Sequence, residues 1–287
     1  MNNIILSLYR STINMAMPIL LVALGGTITH HAGIINVAME GLMLAAAFSA
    51  VVFSYISGSA LVGVMAAIVS AIIFSIFYSF FVTTLKTNNF AIGFALNIFI
   101  SSFTLYLSRI MFPGENAFNS PKIAAIPRLS VDFGVKIIND LFSNFSILVY
   151  FAMFLVFVVT YIVYKTPFGL WLRAAGSQPD ALNKAGKKVT VIQYTASVLT
   201  GVLCGLAGAQ LSLSNVVLFS KDMSGGRGFI ALAIILQKFI DYSINKSPTG
   251  NHPQHYCLLC FSDCSKAYLS NCNQLISRHN SCLCCHI

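Results

Sequence analysis

Charged side chains are scarce in this sequence, and acidic ones are the scarcest. Only 9% of the 287 residues are charged, whereas a soluble domain carries about 25%. Bases outnumber acids 17 to 8, and the mean hydropathy is +0.79. Because so few charges cannot cover a surface that faces water, we expect most of the chain to face lipid.

Several functional signatures are also missing. No basic run is interleaved with aromatics, so the net charge of +9 does not indicate nucleic acid. The stretch "AGKKVT" (185–190) is no phosphate loop, because Ala181 stands where the first glycine is needed and Lys188 where Ser or Thr is needed. Histidines, carboxylates and nucleophiles form no recognisable catalytic set. We therefore expect no cofactor, no metal site and no enzymatic activity.

Long apolar runs dominate the sequence. A membrane helix needs about 20 mostly apolar residues, and six segments qualify: 12–29, 35–56, 59–85, 90–111, 144–164 and 191–214. A seventh run, 228–240, is short because polar residues interrupt it. No cleavage site ends the first run cleanly, so we expect that span to be retained. The predicted fold is all-α, a polytopic membrane helix bundle with about six full spans plus a truncated seventh.

Two long connections set the orientation. Residues 165–190 carry five bases and one acid, whereas residues 112–143 carry three of each. Since cytoplasmic loops carry the excess of Lys and Arg, we place 165–190 in the cytoplasm and 112–143 outside. Counting back through the spans places the N-terminus outside as well.

Glu40 is the only acid among the first 114 residues, and it lies in the apolar stretch "GIINVAMEGLMLAAAF" (33–48). An acid facing lipid at mid-bilayer would cost roughly 2.5–3.5 kcal/mol, so it indicates a functional site by default. On a continuous helix, Asn36 and Glu40 would share one face. The alternative is an interfacial Glu40 near the helix start, where acids favour the positive end of the helix dipole. Asn89 and Asn97 add polar groups to the fourth span.

Small residues recur on one face of the sixth span. Gly201, Gly205 and Ala209 are four apart in "GVLCGLAGA", a spacing that lets helix backbones approach closely in lipid. Helix packing is the simpler interpretation, and substrate passage along this face is the alternative.

The 165–190 connection contains signals for a short helix. Pro179 and Asp180 suit a first turn, and Gly186 suits the stop. From the pattern alone, this segment is either a docking surface for a soluble partner or a solvated amphipathic loop.

Four motifs in order resemble one transporter family. "TPFGLWLRAAGSQPDALNKAG" followed by "LTGVLCGLAGAQLSLS" resembles the coupling region and next span of ABC importer permeases, in the branch that serves ribose, branched-chain amino acids and nucleosides. "AGIINVAMEGLML" resembles that branch's N-terminal signature, most closely in nucleoside importers. "NNFAIGFALNIFISSFT" and "MSGGRGFIALA" are similar to the same subgroup. The resemblance covers about residues 15–236, which we take as the permease domain (1–236).

The resemblance implies a multi-pass subunit of the cytoplasmic membrane that passes a small polar solute, expected to be a nucleoside. Its implied partners are ABC ATP-binding subunits, a second permease subunit, an extracellular or lipoprotein solute-binding protein, and the lipid bilayer. The coupling residues it implies are Arg173, Gly176, Pro179, Asp180, Ala181 and Gly186. Our candidates for the substrate path are Asn36, Glu40, Asn89 and Asn97.

The composition changes near residue 237. Seven of the eight cysteines lie in the last 31 residues, and Cys204 is the only one before them. We expect residues 237–287 to be an out-of-frame, disordered tail, which would make the chain a truncated and non-functional permease. The alternatives are a zinc-binding tail around Cys257 and Cys260, whose spacing suits zinc but lacks a second pair, and a disulfide cluster, which a cytoplasmic location disfavours.

Other functions remain open at this point. A sugar or branched-chain amino acid permease of the same branch would share these motifs. A secondary transporter would need no coupling loop and should show repeats around broken helices, and we find no convincing internal repeat. A membrane scaffold without transport is opposed only by the buried polar residues.

Overall fold

The computed structural model describes residues 2–111, 117–118, 126–129 and 145–244. Its helices are α1 (Asn2–His31), α2 (Met39–Ser57), α3 (Ala60–Ser79), α4 (Asn89–Met111), α5 (Ile147–Lys165), α6 (Pro167–Ser177), α7 (Pro179–Lys184), α8 (Val189–Ala209) and α9 (Arg227–Ile244). Most of the 112–143 connection and the tail beyond residue 244 lie outside the described residues, as do the predictions made for them.

Six of these helices are long and apolar enough to cross a membrane within the described part of the chain. Each corresponds to one of the six predicted runs, so the all-α bundle of six spans is confirmed. α3 continues as a π-helical turn over Phe80–Thr84, and α8 continues as another over Gln210–Val216. The seventh run forms α9, whose apolar part, Arg227–Gln237, is shorter than a span.

The core of the bundle lies around α8, which contacts α1, α2 and α3 extensively. Most of α2 is buried, whereas most residues of the α3 and α4 spans face outward. Outward-facing side chains such as Leu61 on α3 and Ile98 on α4 are large and apolar. That pattern suits helices whose outer faces lie against lipid or another membrane subunit.

The small residues of α8 pack on α3. A Cβ added at Gly205 would lie 2.7 Å from Ile68 Cα, and one added at Gly201 would lie 3.1 Å from Ile72 Cα. Ser75 Oγ on α3 also donates to Ser197 O on α8 at 2.6 Å. This confirms the helix-packing interpretation of the small-residue face.

Two short antiparallel strand pairs lie beside the helices. β1 (Ala117–Phe118) pairs with β4 (Phe219–Ser220), with Ala117 opposite Ser220. β2 (Arg128–Leu129) pairs with β3 (Phe145–Ser146). The first pair links the 112–143 connection to the segment between α8 and α9.

A non-helical segment, residues 32–38, separates α1 from α2. Gly33 follows α1 with φ +82°, a left-handed conformation that ends helices and favours glycine. Asn36 therefore lies in this segment, and α2 begins only at Met39. The prediction that Asn36 and Glu40 share a helix face is wrong, because the apolar run continues through the break and conceals it.

Candidate functional site

The non-helical segment 32–38 runs inside the bundle with its backbone polar groups paired by other helices. Tyr78 Oη on α3 donates to Ile35 O at 2.9 Å, and Asn97 Nδ2 on α4 donates to Val37 O at 3.0 Å. Gln193 Nε2 on α8 donates to Ala32 O at 3.3 Å. Irregular backbone is tolerated at membrane depth only where such partners or a water-filled cavity satisfy it.

The start of α2 is capped from α4. Ala38 precedes the helix and supplies no side-chain cap, so the first N–H groups of α2 need acceptors from elsewhere. Asn97 Oδ1 accepts from Gly41 N at 2.8 Å. The same amide thus holds both the end of the non-helical segment and the first turn of α2.

The start of α9 is capped from α2 by Glu40. Its Oε1 accepts from Gly226 N at 2.9 Å, and its Oε2 accepts from Gly228 N at 2.6 Å. A carboxylate at a helix N-terminus is stabilised both by these orphan donors and by the positive end of the helix dipole. A Cβ at Gly228 would lie 2.6 Å from Glu40 Cα, so only glycine permits this approach.

The first turn of α2, which contains Glu40, packs beside α1. A Cβ added at Gly26 would lie 2.8 Å from Met39 Sδ, and Gly26 lies five residues before the end of α1. At 1.5 Å per residue, the start of α2 therefore lies about 8 Å before the C-terminal end of α1. The carboxylate points to α9 and is partly buried.

A cavity of about 350 Å³ opens beside these two helix starts. Its polar lining includes the side chains of Glu40, Asn97, Ser101 and Asp222, and its aromatic lining is Phe94 and Phe229. The two phenyl rings stack with centroids 5.9 Å apart and planes inclined by 26°. Asp222 Oδ1 accepts from Ser101 Oγ at 2.7 Å. The volume falls at the lower end of the range of small-molecule sites, about 300–1,000 Å³.

The structure brings together two of the four residues predicted for the substrate path, Glu40 and Asn97. Asn36 does not line the cavity: it is 2% exposed, and its Oδ1 accepts from Ala38 N at 3.0 Å. Asn89 is the first residue of α4 and also lies outside the cavity lining, about two helical turns before Asn97.

Sequence reasoning missed the other residues that line the cavity, among them Phe94, Ser101, Asp222 and Phe229. Asp222 could have been identified from the sequence, since it is a lone acid beside the glycine-rich "SGGRG" motif. The phenylalanines gave no such signal, because aromatic residues are common throughout these spans.

The predicted short helix in the 165–190 connection is confirmed as α7, Pro179–Lys184. Leu182 is buried and anchors it, whereas the other α7 residues are exposed. The helix ends at Lys184, and Gly186 just beyond it has φ +78° and donates to Asn183 O at 3.0 Å. The predicted residues Pro179, Asp180, Ala181 and Gly186 therefore lie together on an exposed surface.

The coupling segment also touches the non-helical segment. A Cβ added at Gly33 would lie 3.2 Å from Gly176 Cα, and one added at Gly176 would meet the His31 carbonyl oxygen. Arg173, one turn earlier on α6, donates to Gly169 O at 3.3 Å and stacks 5.5 Å from the centre of the Tyr164 ring. α6 thus lies directly against the chain that leads to α2.

Within the described part of the chain, no group of three or more His, Cys, Asp or Glu side chains could hold a metal ion. Cys257 and Cys260, the candidates for zinc, lie outside it.

The chain is similar to a known family of transport proteins. Residues 8–236 match the family model described as the branched-chain amino acid transport system / permease component. No solved structure matches the chain.

Three curated relatives are each 27% identical to the chain. One is the guanosine ABC transporter permease protein NupQ of Bacillus subtilis, aligned over 79% of this chain and 73% of its own length. Another is the nucleoside ABC transporter permease protein NupC of Lactococcus lactis, over 76% and 71%. The third is a putative glucose ABC transporter permease protein of Haloferax volcanii, over 80% and 69%.

Proposed function

The chain belongs to the family of permease components of branched-chain amino acid transport systems, and we propose that the solute it carries is a nucleoside. It is a multi-pass permease subunit of an ABC importer in the cytoplasmic membrane. The family works with ATPase and binding-protein partners. Support for the nucleoside comes from two relatives named as guanosine and nucleoside permeases.

In this proposal, the cavity beside Glu40 and Asn97 is part of the substrate path. Asn36 braces the path from behind through the non-helical segment, and Asn89 lies on its cytoplasmic side. A charged residue in a membrane span is expected to face a polar pathway, and Glu40 of the α2 span lines this cavity. Reorientation of the packed helices would open the cavity alternately to each side of the membrane.

We propose that the ATP-binding subunit docks on α7 and its flanks. The exposed residues Pro179, Asp180, Ala181 and Gly186 would form the contact surface. Lys184, Lys187 and Lys188 add exposed positive charge around it. ATP hydrolysis would belong to that partner, so the chain itself would not be an enzyme.

The contact between Gly176 and Gly33 supports a direct mechanical route from this surface to the cavity. A displacement of α6 would press on the non-helical segment, because no side chain separates the two glycines. That segment leads into Glu40 and the start of α2, where the cavity begins. Arg173 and Gly176 would act in this transmission rather than in docking itself.

The other proposed partners are a second permease subunit and an extracellular or lipoprotein solute-binding protein. The second permease would cover outward-facing residues of this chain, and the binding protein would deliver solute at the outer face. The described helices leave large apolar side chains on α3 and α4 available for lipid and for such a subunit.

Uptake of labelled guanosine by the assembled transporter in proteoliposomes tests the proposal. We expect ATP-dependent accumulation of guanosine. Unlabelled adenosine or uridine should reduce this accumulation, and unlabelled glucose should leave it unchanged. A transporter without its binding protein serves as the control. ATP-driven uptake of glucose but not of guanosine would contradict the nucleoside assignment and support the sugar alternative, which the Haloferax relative favours.

We propose separately that the residues after 236 are translated out of frame. The family match ends at residue 236, and residues 245–287 lie outside the described part of the chain. If the DNA was read out of frame there, shifting the frame by one or two bases near codons 236–247 restores apolar spans with few cysteines. Frames that give only stops or polar sequence would contradict the frameshift.

A further inference from the structure

We propose that the cavity recognises the two halves of a nucleoside separately, with Asp222 accepting hydrogen bonds from the sugar hydroxyls and Phe94 and Phe229 stacking on the base. This inference rests on the nucleoside permease proposed above and names the residues that would select the substrate. It assigns Glu40 a different role, since that side chain holds the helices that form the cavity wall.

The two carboxylates of the cavity differ in how much of their hydrogen-bonding capacity is used. Both oxygens of Glu40 accept backbone N–H groups of the α9 start, so Glu40 is a positioning residue. Asp222 accepts from Ser101 Oγ, which uses one of about four lone-pair sites on a carboxylate. Asp222 is exposed and lines the cavity, and it is therefore the carboxylate with more acceptor sites left for a ligand.

A carboxylate of this kind selects hydroxyl donors. Two adjacent sugar hydroxyls can donate to its two oxygens, as a carboxylate does with ribose in dinucleotide-binding proteins. A phosphate group would instead meet a like charge, which is unfavourable at close range. The chemistry of Asp222 thus favours a nucleoside over a nucleotide.

The aromatic pair supplies the second half of the recognition. Phe94 and Phe229 are 51% and 37% exposed, and both line the cavity. Their rings already lie nearly parallel, at 26°, which suits a flat ring stacked beside them. Bases stack on aromatic side chains with little dependence on sequence. A sugar without a base would leave this surface uncovered.

The solute-binding protein captures the substrate before the permease receives it. The test therefore measures turnover by the permease under conditions in which capture is saturated. Turnover at saturating solute would be measured in proteoliposomes holding the complete transporter, with guanosine and with 2′,3′-dideoxyguanosine as substrates. Asp222→Gly removes the carboxylate and suits the backbone, since Asp222 has φ +52° and glycine adopts such angles readily. Asp222→Asn is the conservative companion, and thermal unfolding of each variant checks its fold.

In the wild-type transporter we expect guanosine to turn over about tenfold faster than the dideoxy compound, because a site built for a hydroxyl discriminates against its absence. Asp222→Gly should lower guanosine turnover to the dideoxy level and leave dideoxy turnover and both KM values unchanged. Asp222→Asn should keep part of the difference.

Phe94→Leu should slow both substrates alike, since both carry the base. Phe103→Leu is its matched control, because Phe103 is on the same helix and exposed but does not line the cavity. If the wild-type transporter carries guanosine but Asp222→Gly slows both substrates equally, or slows neither, this inference is overturned and the proposed function is not. Absence of ATP-driven guanosine transport by the wild type would refute the proposed function, and this inference with it.

Discussion

The helix starts at Arg227 and at Pro179 present the same chemical problem in two different surroundings. At α9, the N–H groups of Gly226 and Gly228 lie inside the bundle and bond both oxygens of Glu40. At α7, Pro179 has no N–H to satisfy, and Asp180 and Ala181, which follow it, are exposed. A helix that starts within a membrane needs a cap from another helix, whereas one at the surface does not.

The comparison predicts that changes at the buried helix start destabilise the fold more than changes at the exposed helix, which act mainly on function. We rank the tests by their expected effect on the free energy of unfolding.

Gly228→Ala should have the largest effect. Its Cβ would lie 2.6 Å from the backbone of Glu40, so α2 and α9 must separate, at a cost of about 3 kcal/mol. Gly186→Ala is the matched control at the exposed end, where nothing lies within 4 Å of the new Cβ and only the left-handed backbone costs about 1–2 kcal/mol. Thermal unfolding in detergent measures both. Equal midpoints for the two variants would contradict the close approach of α2 and α9.

Glu40→Ala should rank second, at about 2 kcal/mol, because it leaves two N–H groups of the α9 start without an acceptor. Glu40→Gln keeps one acceptor oxygen and should retain part of both the stability and the uptake, whereas Glu40→Ala should abolish most uptake. Uptake into proteoliposomes and the thermal midpoint would be recorded together. Wild-type values for both variants would show that Glu40 is not needed as a cap.

Tyr78→Phe should cost about 1 kcal/mol, because the Ile35 carbonyl in the non-helical segment loses its donor. Tyr161→Phe is a suitable control, since Tyr161 is 64% exposed on α5. Differential scanning fluorimetry detects the difference. A larger loss in the control than in Tyr78→Phe would argue against a braced segment.

Ala181→Arg should change stability by less than about 0.5 kcal/mol, as for most surface substitutions, yet abolish ATP-driven uptake. The new side chain would stand on the exposed face of α7 and block the proposed docking of the ATPase. Membrane insertion and the thermal midpoint should match the wild type, and co-purification of the ATPase should fall. Undiminished co-purification together with normal uptake would remove α7 from the docking surface.

The exposed helix start was predictable from sequence because its signals are local. Pro179 and Gly186 mark the two ends of α7 within eight residues. Glu40 was identified as a lone acid in an apolar run, but its partners Gly226 and Gly228 lie 186 and 188 positions away. No local pattern encodes a pairing of that range.

The non-helical segment was missed for a related reason. Gly33 was visible, yet the residues after it are apolar enough to extend a helix pattern, and the donors that stabilise the break come from distant helices. Asp222 was visible as an acid, but only the fold brings it beside Ser101 of α4. Long-range contacts therefore account for the difference between the predicted and observed site.

The sequence contains a single tryptophan, Trp171, and α6 places it beside the proposed docking surface with Lys187 Nζ 4.4 Å from the centre of its ring. Indole emission depends on the polarity and charge of the groups around the ring, and a partner that covers α7 would change both. The chain thus carries one intrinsic fluorophore at the surface where coupling is proposed. Its emission spectrum can follow subunit assembly and nucleotide-dependent movement without any attached dye.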